Sequence, residues 1–158
     1  MSAPASSTAE NPEAYNLPSD YTFARNSWGD SFYKVYGQMK FLDAEAQCVS
    51  DGALLALPRS DCENDFIAGL IPDQPIWIGL TDINEEGKFV TSDGVEPSYT
   101  KWDTNNNQPN NVPHPGGYDE DATFIIGTHS WLTKGFWGDD TINSYYNVVC
   151  SYSIPQSK

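Results

Sequence analysis

The sequence has few basic residues and no long apolar run, and both absences limit what the protein can bind. Its 158 residues include 8 lysines and arginines against 22 aspartates and glutamates, which gives a formal net charge of −14. A surface this acidic repels DNA, RNA and anionic lipid, so we expect no nucleic-acid partner. No apolar stretch approaches the roughly 20 residues of a membrane-spanning helix, and we expect no membrane span.

Cysteine and histidine are also scarce, and the motifs of enzymes are missing. The three cysteines, Cys48, Cys62 and Cys150, permit one disulfide and leave one thiol, and their spacing fits no zinc motif. His114 and His129 belong to no recognisable nucleophile motif, and the sequence contains no glycine-rich phosphate loop. We therefore predict a binding protein and not an enzyme.

The apolar residues that are present predict two helices followed by a buried strand. Apolar residues at helical spacing begin at Phe41, and Asp51-Gly52 ends that helix with glycine just past its last turn. A capping box that starts at Ser60 predicts the second helix. The run 76–80, Ile-Trp-Ile-Gly-Leu, is short and rich in β-branched and aromatic residues, which predicts a strand buried on both faces. The glycine within this run suggests that another backbone or ring packs close to it.

Short strand-like segments and long polar loops make up the rest of the chain. Segments 32–36, 123–126 and 145–150 have strand composition. Residues 1–18 are mainly small, polar or proline, and we predict a flexible tail there. Residues 19–158 then form one α+β domain, because helices and strands are segregated along the chain.

Two acidic loops imitate calcium-binding loops in part. The loop 82–87, with Asp93 at the twelfth position, has the spacing of an EF-hand loop, but a strand precedes it and a hairpin turn ends it. An EF-hand needs a helix on each side, so we reject it and leave a metal role open for Asp82 and Glu86. We interpret the second loop, 103–107, as a solvated turn.

The strongest candidate site combines amide and carboxylate side chains from three places in the chain. They are Gln108-Pro109-Asn110-Asn111, Glu120-Asp121 and Asp139-Asp140. Calcium prefers six to eight oxygen ligands of these mixed kinds. A proline between two donors can adopt a cis peptide bond, which would hold both donors in one turn. On residue chemistry alone, solvated loops explain these residues as well as a calcium site does.

Four segments together resemble the C-type lectin-like domain, over residues from about Tyr21 to Tyr152. Segment 41–48 is similar to the family's first helix and its cysteine, and segment 60–66 is similar to the start of its second helix. Segment 77–80 (Trp-Ile-Gly-Leu) matches its core strand. Segment 148–150 is similar to its last strand and final cysteine. The resemblance implies a C-type lectin-like fold: two helices, small antiparallel sheets and a long loop region. It also implies a Cys48–Cys150 disulfide. The family's second bridge is absent, since Ala122 and Ile142 stand at its positions.

The resemblance also implies a set of calcium and sugar contacts. Gln108-Pro109-Asn110 resembles the family's sugar-reading tripeptide, and 137–139 (Trp-Gly-Asp) resembles its Trp-Asn-Asp motif. The implied sugar-binding and calcium-binding residues are Gln108, Asn110, Glu120 and Asp139. An auxiliary calcium site is implied at Asp82, Glu86, Asn111, Glu120 and Asp121.

Two departures from the family pattern predict weak calcium binding. Gln-Pro-Asn is neither common form of the tripeptide, so the preferred sugar cannot be read from it, and Gly138 offers no side-chain ligand where the family has asparagine. Fewer charged donors weaken calcium binding. We predict a secreted, calcium-dependent glycan-binding module of weak affinity. The rival is a lectin-like domain that recognises a protein, a calcium mineral or ice. The sequence leaves open whether the domain forms homo-oligomers.

Overall fold

The computed structural model describes residues 10–27, 29–110 and 121–155, which contain two α-helices and seven β-strands. The elements are, in chain order, β1 (Thr22–Ala24), β2 (Ser31–Met39), α1 (Phe41–Ser50), β3 (Leu54–Leu55), α2 (Asp61–Leu70), β4 (Ile76–Thr81), β5 (Ala122–Ile125), β6 (Trp137–Asp140) and β7 (Tyr146–Ser153). Short 3-10 helices lie at Pro12–Tyr15 and Thr104–Asn106. The predicted α+β class is confirmed.

Both helices begin and end close to their predicted signals. Ser60 caps α2, because its hydroxyl oxygen accepts a hydrogen bond from the Glu63 backbone N–H at 3.1 Å. After α1, Gly52 adopts a positive φ of 88°, and the next N–H, that of Ala53, donates to the Cys48 carbonyl at 2.9 Å. Neither helix is long and apolar enough to cross a membrane, and the described residues contain no other α-helix.

The strands form one mixed sheet, which differs from the small antiparallel sheets implied by the resemblance through the parallel pairing of β4 with β7. Their order is β1-β2-β7-β4-β5-β6, and β3 also pairs with β7. The difference arises at β7, whose eight residues pair with β2 along one edge and with β4 and then β3 along the other. The β4–β7 pairing is parallel, and it joins the antiparallel strand groups into a single sheet.

Strand β4 lies at the centre of the core, as its sequence predicts. Trp77 is fully buried on one face, where its ring packs 5.4 Å from that of Phe41, and Ile76 and Ile78 are fully buried on the other. A Cβ atom at Gly79 would lie 3.0 Å from the Leu55 carbonyl oxygen, so the expected close approach of another backbone is present.

The Cys48–Cys150 disulfide joins α1 to β7 across a sequence separation of 102 residues. Both cysteines are completely buried, whereas Cys62 is free and exposed at the start of α2. The pairing implied by the family resemblance is therefore present, and Cys62 is the remaining thiol.

Part of the segment that we predicted as a flexible tail packs against the core. Leu17 is buried, and the Tyr15 ring lies 5.5 Å from Phe32 and 5.4 Å from Tyr152. Tyr15 and Leu17 are the large apolar residues of an otherwise small and polar stretch, and a composition average over residues 1–18 hides them. Tyr15 and Leu17 thus contribute to the core.

Candidate functional site

Asp139 lies on β6, an edge strand of the sheet, and the buried Trp137 of the same strand fixes its position. The Trp137 ring is fully buried, and its indole N–H donates to the Asn64 side-chain oxygen at 2.7 Å. Strand β5 pairs with β6 through Thr123 and Asp139 and through Phe124 and Gly138. This pairing and the buried indole give Asp139 a defined position.

The loop that carries Gln108 and Asn110 reaches Asp139 directly. The Asn110 backbone N–H donates to Asp139 Oδ1 at 3.0 Å, and the Asp139 backbone N–H donates to Gln108 Oε1 at 3.3 Å. The Gln108–Pro109 peptide bond is cis. Three of the four residues predicted to contact the sugar therefore lie together, although they are about 30 positions apart in the sequence.

The Gln108 side chain occupies space that a side chain at position 138 would need. A Cβ atom on Gly138 would lie 3.2 Å from Gln108 Oε1 and 3.3 Å from the Phe124 ring. The Phe124 ring is itself held 4.6 Å from Tyr146. The absence of a side chain at Gly138 thus allows the Gln108 amide to lie against β6.

Asp103 is a structural part of this site, and our interpretation of it as a solvated residue was wrong. Its side chain is only 2% exposed. Asp103 Oδ2 accepts hydrogen bonds from the Thr133 backbone N–H at 2.7 Å and from Asn106 Nδ2 at 2.9 Å. Its carbonyl oxygen accepts from the Gln108 N–H at 3.1 Å. Asp103 follows Trp102 and precedes a short 3-10 turn, and this turn-initiating position was the signal that could have identified it.

A second group of oxygens lies where β4 ends and β5 begins. Asp82, Glu86 and Asp121 each place a carboxylate oxygen within 4.8 Å of the others. Because β4 and β5 are antiparallel, the residue after one strand meets the residue before the other, and the Asp82 N–H donates to the Asp121 carbonyl at 3.1 Å. Three of the five residues predicted for the auxiliary site are therefore together. Asn111 and Glu120 lie outside the described residues.

This group has the chemistry of a hard-cation site. Asp82 is 1% exposed, and its Oδ2 accepts the Gly87 N–H at 2.8 Å. Within the described part of the chain, the buried Oδ1 atoms of Asp82 and Asp121 have no hydrogen-bond partner. Burial and the adjacent carboxylates Glu86 and Asp121, opposed by the Gly87 hydrogen bond, raise the pKa of Asp82 from its ordinary 3.8 to about 7. Buried oxygens without donors are suitable ligands for calcium, which prefers oxygen and would offset the repulsion.

The Asp140 carboxylate is held by hydrogen bonds from nearby residues of the chain. Its carboxylate accepts hydrogen bonds from the Thr141 N–H at 2.7 Å, from the Ser144 hydroxyl at 3.0 Å and from the Tyr146 hydroxyl. Asp140 pairs with Ala122 across the sheet, which brings the Asp82 group and the Asp139 group to the same end of β5 and β6. Asp140 therefore supports the site through packing and hydrogen bonds.

Comparison with known proteins identifies the family. Residues 37–152 match the family model for the lectin C-type domain. The chain is 34% identical over 128 residues to lectin BRA-3 of Megabalanus rosa, and the match covers 80% of this chain and 73% of that protein. The chain also matches C-type lectin domain family 3 member A of Homo sapiens and of Bos taurus. These matches cover 58% of the length of the human protein and 64% of that of the bovine protein.

Solved structures agree with this assignment. The trimeric Kupffer cell C-type lectin receptor Clec4f superposes with a TM-score of 0.74 at 26% identity, over 98% of this chain and 96% of that chain. A calcium-independent type II antifreeze protein superposes with a TM-score of 0.69 at 20% identity, over 87% of this chain and 94% of that chain, which shows a shared fold. The chain belongs to the C-type lectin family.

Proposed function

We propose that this domain binds glycans with the help of calcium at the end of β5 and β6. The observation that carries the proposal is the buried Asp82 carboxylate, which faces Glu86 and Asp121 and has one oxygen without a hydrogen-bond donor among the described residues. A buried carboxylate of this kind is costly unless a proton or a cation neutralises it. Membership of a lectin family supports a carbohydrate as the ligand of the neighbouring Asp139 group.

The two groups of residues have different tasks in this proposal. Asp82, Glu86 and Asp121, together with Asn111 and Glu120, hold an auxiliary calcium ion. Gln108, Asn110, Glu120 and Asp139 bind both a second calcium ion and the sugar. That calcium, when bound, supplies a centre to which sugar hydroxyls coordinate. Around it, carboxylates accept hydrogen bonds from hydroxyls, whereas amide side chains both donate and accept.

The chain's own contacts preorganise the sugar-binding residues. The Asn110 N–H holds the Asp139 carboxylate, and Asp103 fixes the backbone of Gln108. Ordering of side chains on binding costs free energy, so contacts made before the ligand arrives favour affinity. Weak affinity is still expected, because only two of the four residues, Glu120 and Asp139, are acidic and Gly138 offers no side-chain oxygen.

The direct test is retention on immobilised monosaccharides in calcium buffer, followed by elution with EDTA. We expect EDTA to release the protein and renewed calcium to restore retention. Retention that survives EDTA, or no retention on any glycan, would contradict the proposal. Turnover of a glycan would instead indicate an enzyme.

Gln108→Glu is expected to increase calcium affinity about tenfold. The new carboxylate keeps the length and the acceptor oxygen of Gln108, and it adds a negative charge beside Asp139, where calcium gains more from anionic than from amide oxygens. Without calcium the same variant should melt at a lower temperature, because two carboxylates then repel each other. Calorimetric titration with calcium measures the first effect and a thermal melt in EDTA the second.

The matched control is Gln38→Glu, which makes the same chemical change at an exposed position of β2. It should leave calcium affinity unchanged. Equal calcium affinity in Gln108→Glu and the original protein would place the ion elsewhere.

The Asp82 pKa predicts how stability depends on pH when calcium is removed. The folded-state pKa of about 7 lies above the ordinary 3.8, so the stabilising contribution of protonated Asp82 is complete below 3.8 and is lost as pH rises through 7. In EDTA, the free energy of unfolding should therefore fall between about pH 4 and pH 7 relative to Asp82→Asn, which cannot ionise. Calcium should remove that fall, since it binds the ionised, folded site.

Urea titrations of both proteins at several pH values measure this difference. Identical pH profiles for the original chain and Asp82→Asn would show that Asp82 does not titrate as proposed. A profile unaffected by calcium would argue against the auxiliary site.

We propose that the protein acts outside the cell. The buried Cys48–Cys150 disulfide supports this, because disulfides persist in oxidising compartments and are rare in the cytosol. The trimeric Clec4f structure makes self-association worth testing by sedimentation.

The second candidate function is recognition without calcium or sugar, of a protein, a mineral or ice. It is favoured by the contacts that Gln108 Oε1 and Asp139 Oδ1 already make with backbone N–H groups. The calcium-independent antifreeze protein supports this second candidate, because that protein has the same fold. Growth of ice crystals in the presence of the protein and EDTA tests the ice alternative, and unchanged crystal shape would count against it.

A further inference from the structure

A cleft separate from the Asp82 and Asp139 groups lies between α1, β3, β4 and the hairpin at 91–95. Its volume is about 340 Å³. The apolar part of its lining includes Leu54, Leu57 and Val95, and the charged side chains that line it are Glu45 and Asp93. None of the described residues proposed for calcium and sugar lines it.

The shape of the cleft is fixed by the backbone. Gly79 lies in its floor, where its N–H donates to the Ala56 carbonyl at 3.0 Å. Thr81 and Val90 exchange two backbone hydrogen bonds, of 3.0 and 2.8 Å, which hold the hairpin beside β4. The Thr91 N–H donates to the Val95 carbonyl at 2.9 Å and closes the turn. A cleft built on such bonds is present before any ligand binds.

Apolar side chains at this cleft are exposed to an unusual degree. Leu54 is 51% exposed and Val95 is 59% exposed. On α1, the exposed residues Leu42 and Val49 lie three positions before and four positions after Glu45, so the three residues share one face of the helix. Exposed apolar side chains grouped at one cleft, as Leu54 and Val95 are, commonly mark an interaction site.

The charge of the cleft indicates what covers it. Glu45 and Asp93 are both acidic, and none of the residues that line this cleft is basic. A second copy of the chain would bring its own net charge of −14 against them, which disfavours self-association. A cationic occupant satisfies both the acidic and the apolar parts of the lining.

We propose that this cleft binds a basic, leucine-bearing segment of another protein. A lysine or arginine of that segment lays its methylene stem on Leu54 and Val95 and directs its charged head to Glu45 and Asp93. A neighbouring leucine covers the remaining apolar surface. Apolar contact and the carboxylates both contribute to affinity, and the carboxylates also set the preference for positive charge.

The probe is an acetylated, amidated peptide of Leu-Lys-Lys repeats, with a Ser-Lys-Lys peptide of equal charge as its control. Each is titrated into the full chain by calorimetry at physiological ionic strength, where long-range attraction is screened beyond about 8 Å. We expect the leucine peptide to bind about tenfold more tightly than the serine peptide, a difference of about 1.4 kcal/mol. Equal binding of the two peptides would overturn the apolar part of the proposal.

Three double variants locate the site. Glu45→Gln with Asp93→Asn removes the two charges, and Leu54→Ser with Val95→Ser removes exposed apolar surface. Glu13→Gln with Asp65→Asn removes two exposed charges elsewhere and matches the first variant in net charge. Each cleft variant should weaken binding of the leucine peptide about tenfold, and the matched control should change it less than about twofold.

Other outcomes would overturn the proposal. Equal weakening in the matched control would mean general attraction to a polyanion. Sedimentation that shows a dimer in the original chain, but not in the Leu54→Ser and Val95→Ser double variant, would make a second copy the occupant. All substituted side chains are exposed or partly exposed, so a thermal melt suffices to establish that each variant folds.

Discussion

Asp139→Asn is expected to abolish EDTA-reversible retention on glycans while the fold stays intact. Asparagine has the same shape and keeps an oxygen to accept the Asn110 N–H, which is now bonded at 3.0 Å. What it loses is the one negative charge contributed by the described residues of the sugar-binding group. Calcium affinity in modules with reduced charge is already only about 10⁻⁴–10⁻³ M, so loss of a carboxylate should leave the site empty at millimolar calcium.

Column retention, calcium calorimetry and a thermal melt in EDTA together measure this result. Asp65→Asn is the control, since it removes one charge from an exposed position of α2. Asp139→Asn protein that still binds glycan in calcium would refute the assignment of Asp139. It would also shift attention to the Asp82 group and to the calcium-independent alternative.

Removal of the disulfide is expected to cause the largest loss of stability. The bond spans 102 residues, and in the loop-entropy model closure of a loop of that size stabilises the folded state by about 4.7 kcal/mol. The Cys48→Ala and Cys150→Ala double variant should therefore lose roughly 4–5 kcal/mol of unfolding free energy in urea titrations. Alanine is chosen because both positions are fully buried and serine would add a buried hydroxyl.

Cys62→Ala is the control for this experiment, because its thiol is free and exposed. It should change the unfolding free energy by less than about 0.5 kcal/mol. Peptide mapping under non-reducing conditions checks the pairing itself. A peptide that links Cys62 to either of the other cysteines would contradict both the bond and the family alignment.

The local elements of this fold could be predicted because their signals are local. The spacing of Phe41, Ala44 and Cys48 and the capping residue Ser60 predict helices from a few neighbouring positions. The run 76–80 predicts a strand buried on both faces, since it has no polar residue to expose. Family motifs added the disulfide, which no local pattern contains.

The strand pairing and the composition of the site could not be predicted in the same way, because both depend on contacts between segments that are far apart in the sequence. Strand β7 pairs with β4 in parallel, and the two are separated by about 65 residues. The burial of Asp103 depends on an N–H at Thr133, which lies 30 positions away. An aspartate in a run of Asn and Thr looks solvated until that donor is known.

The sequence by itself determined the class of fold, the residue types available to a calcium ion and the excess of acidic over basic residues. These properties follow from composition, short-range periodicity and motifs. Only the tertiary structure decided which donors meet. It brought Asp82 to Glu86 and Asp121, and it placed the Gln108 amide oxygen 3.2 Å from the position that a Cβ atom on Gly138 would take. Burial is set by the pairing of distant strands, and burial is what turns an ordinary carboxylate into one that needs a cation.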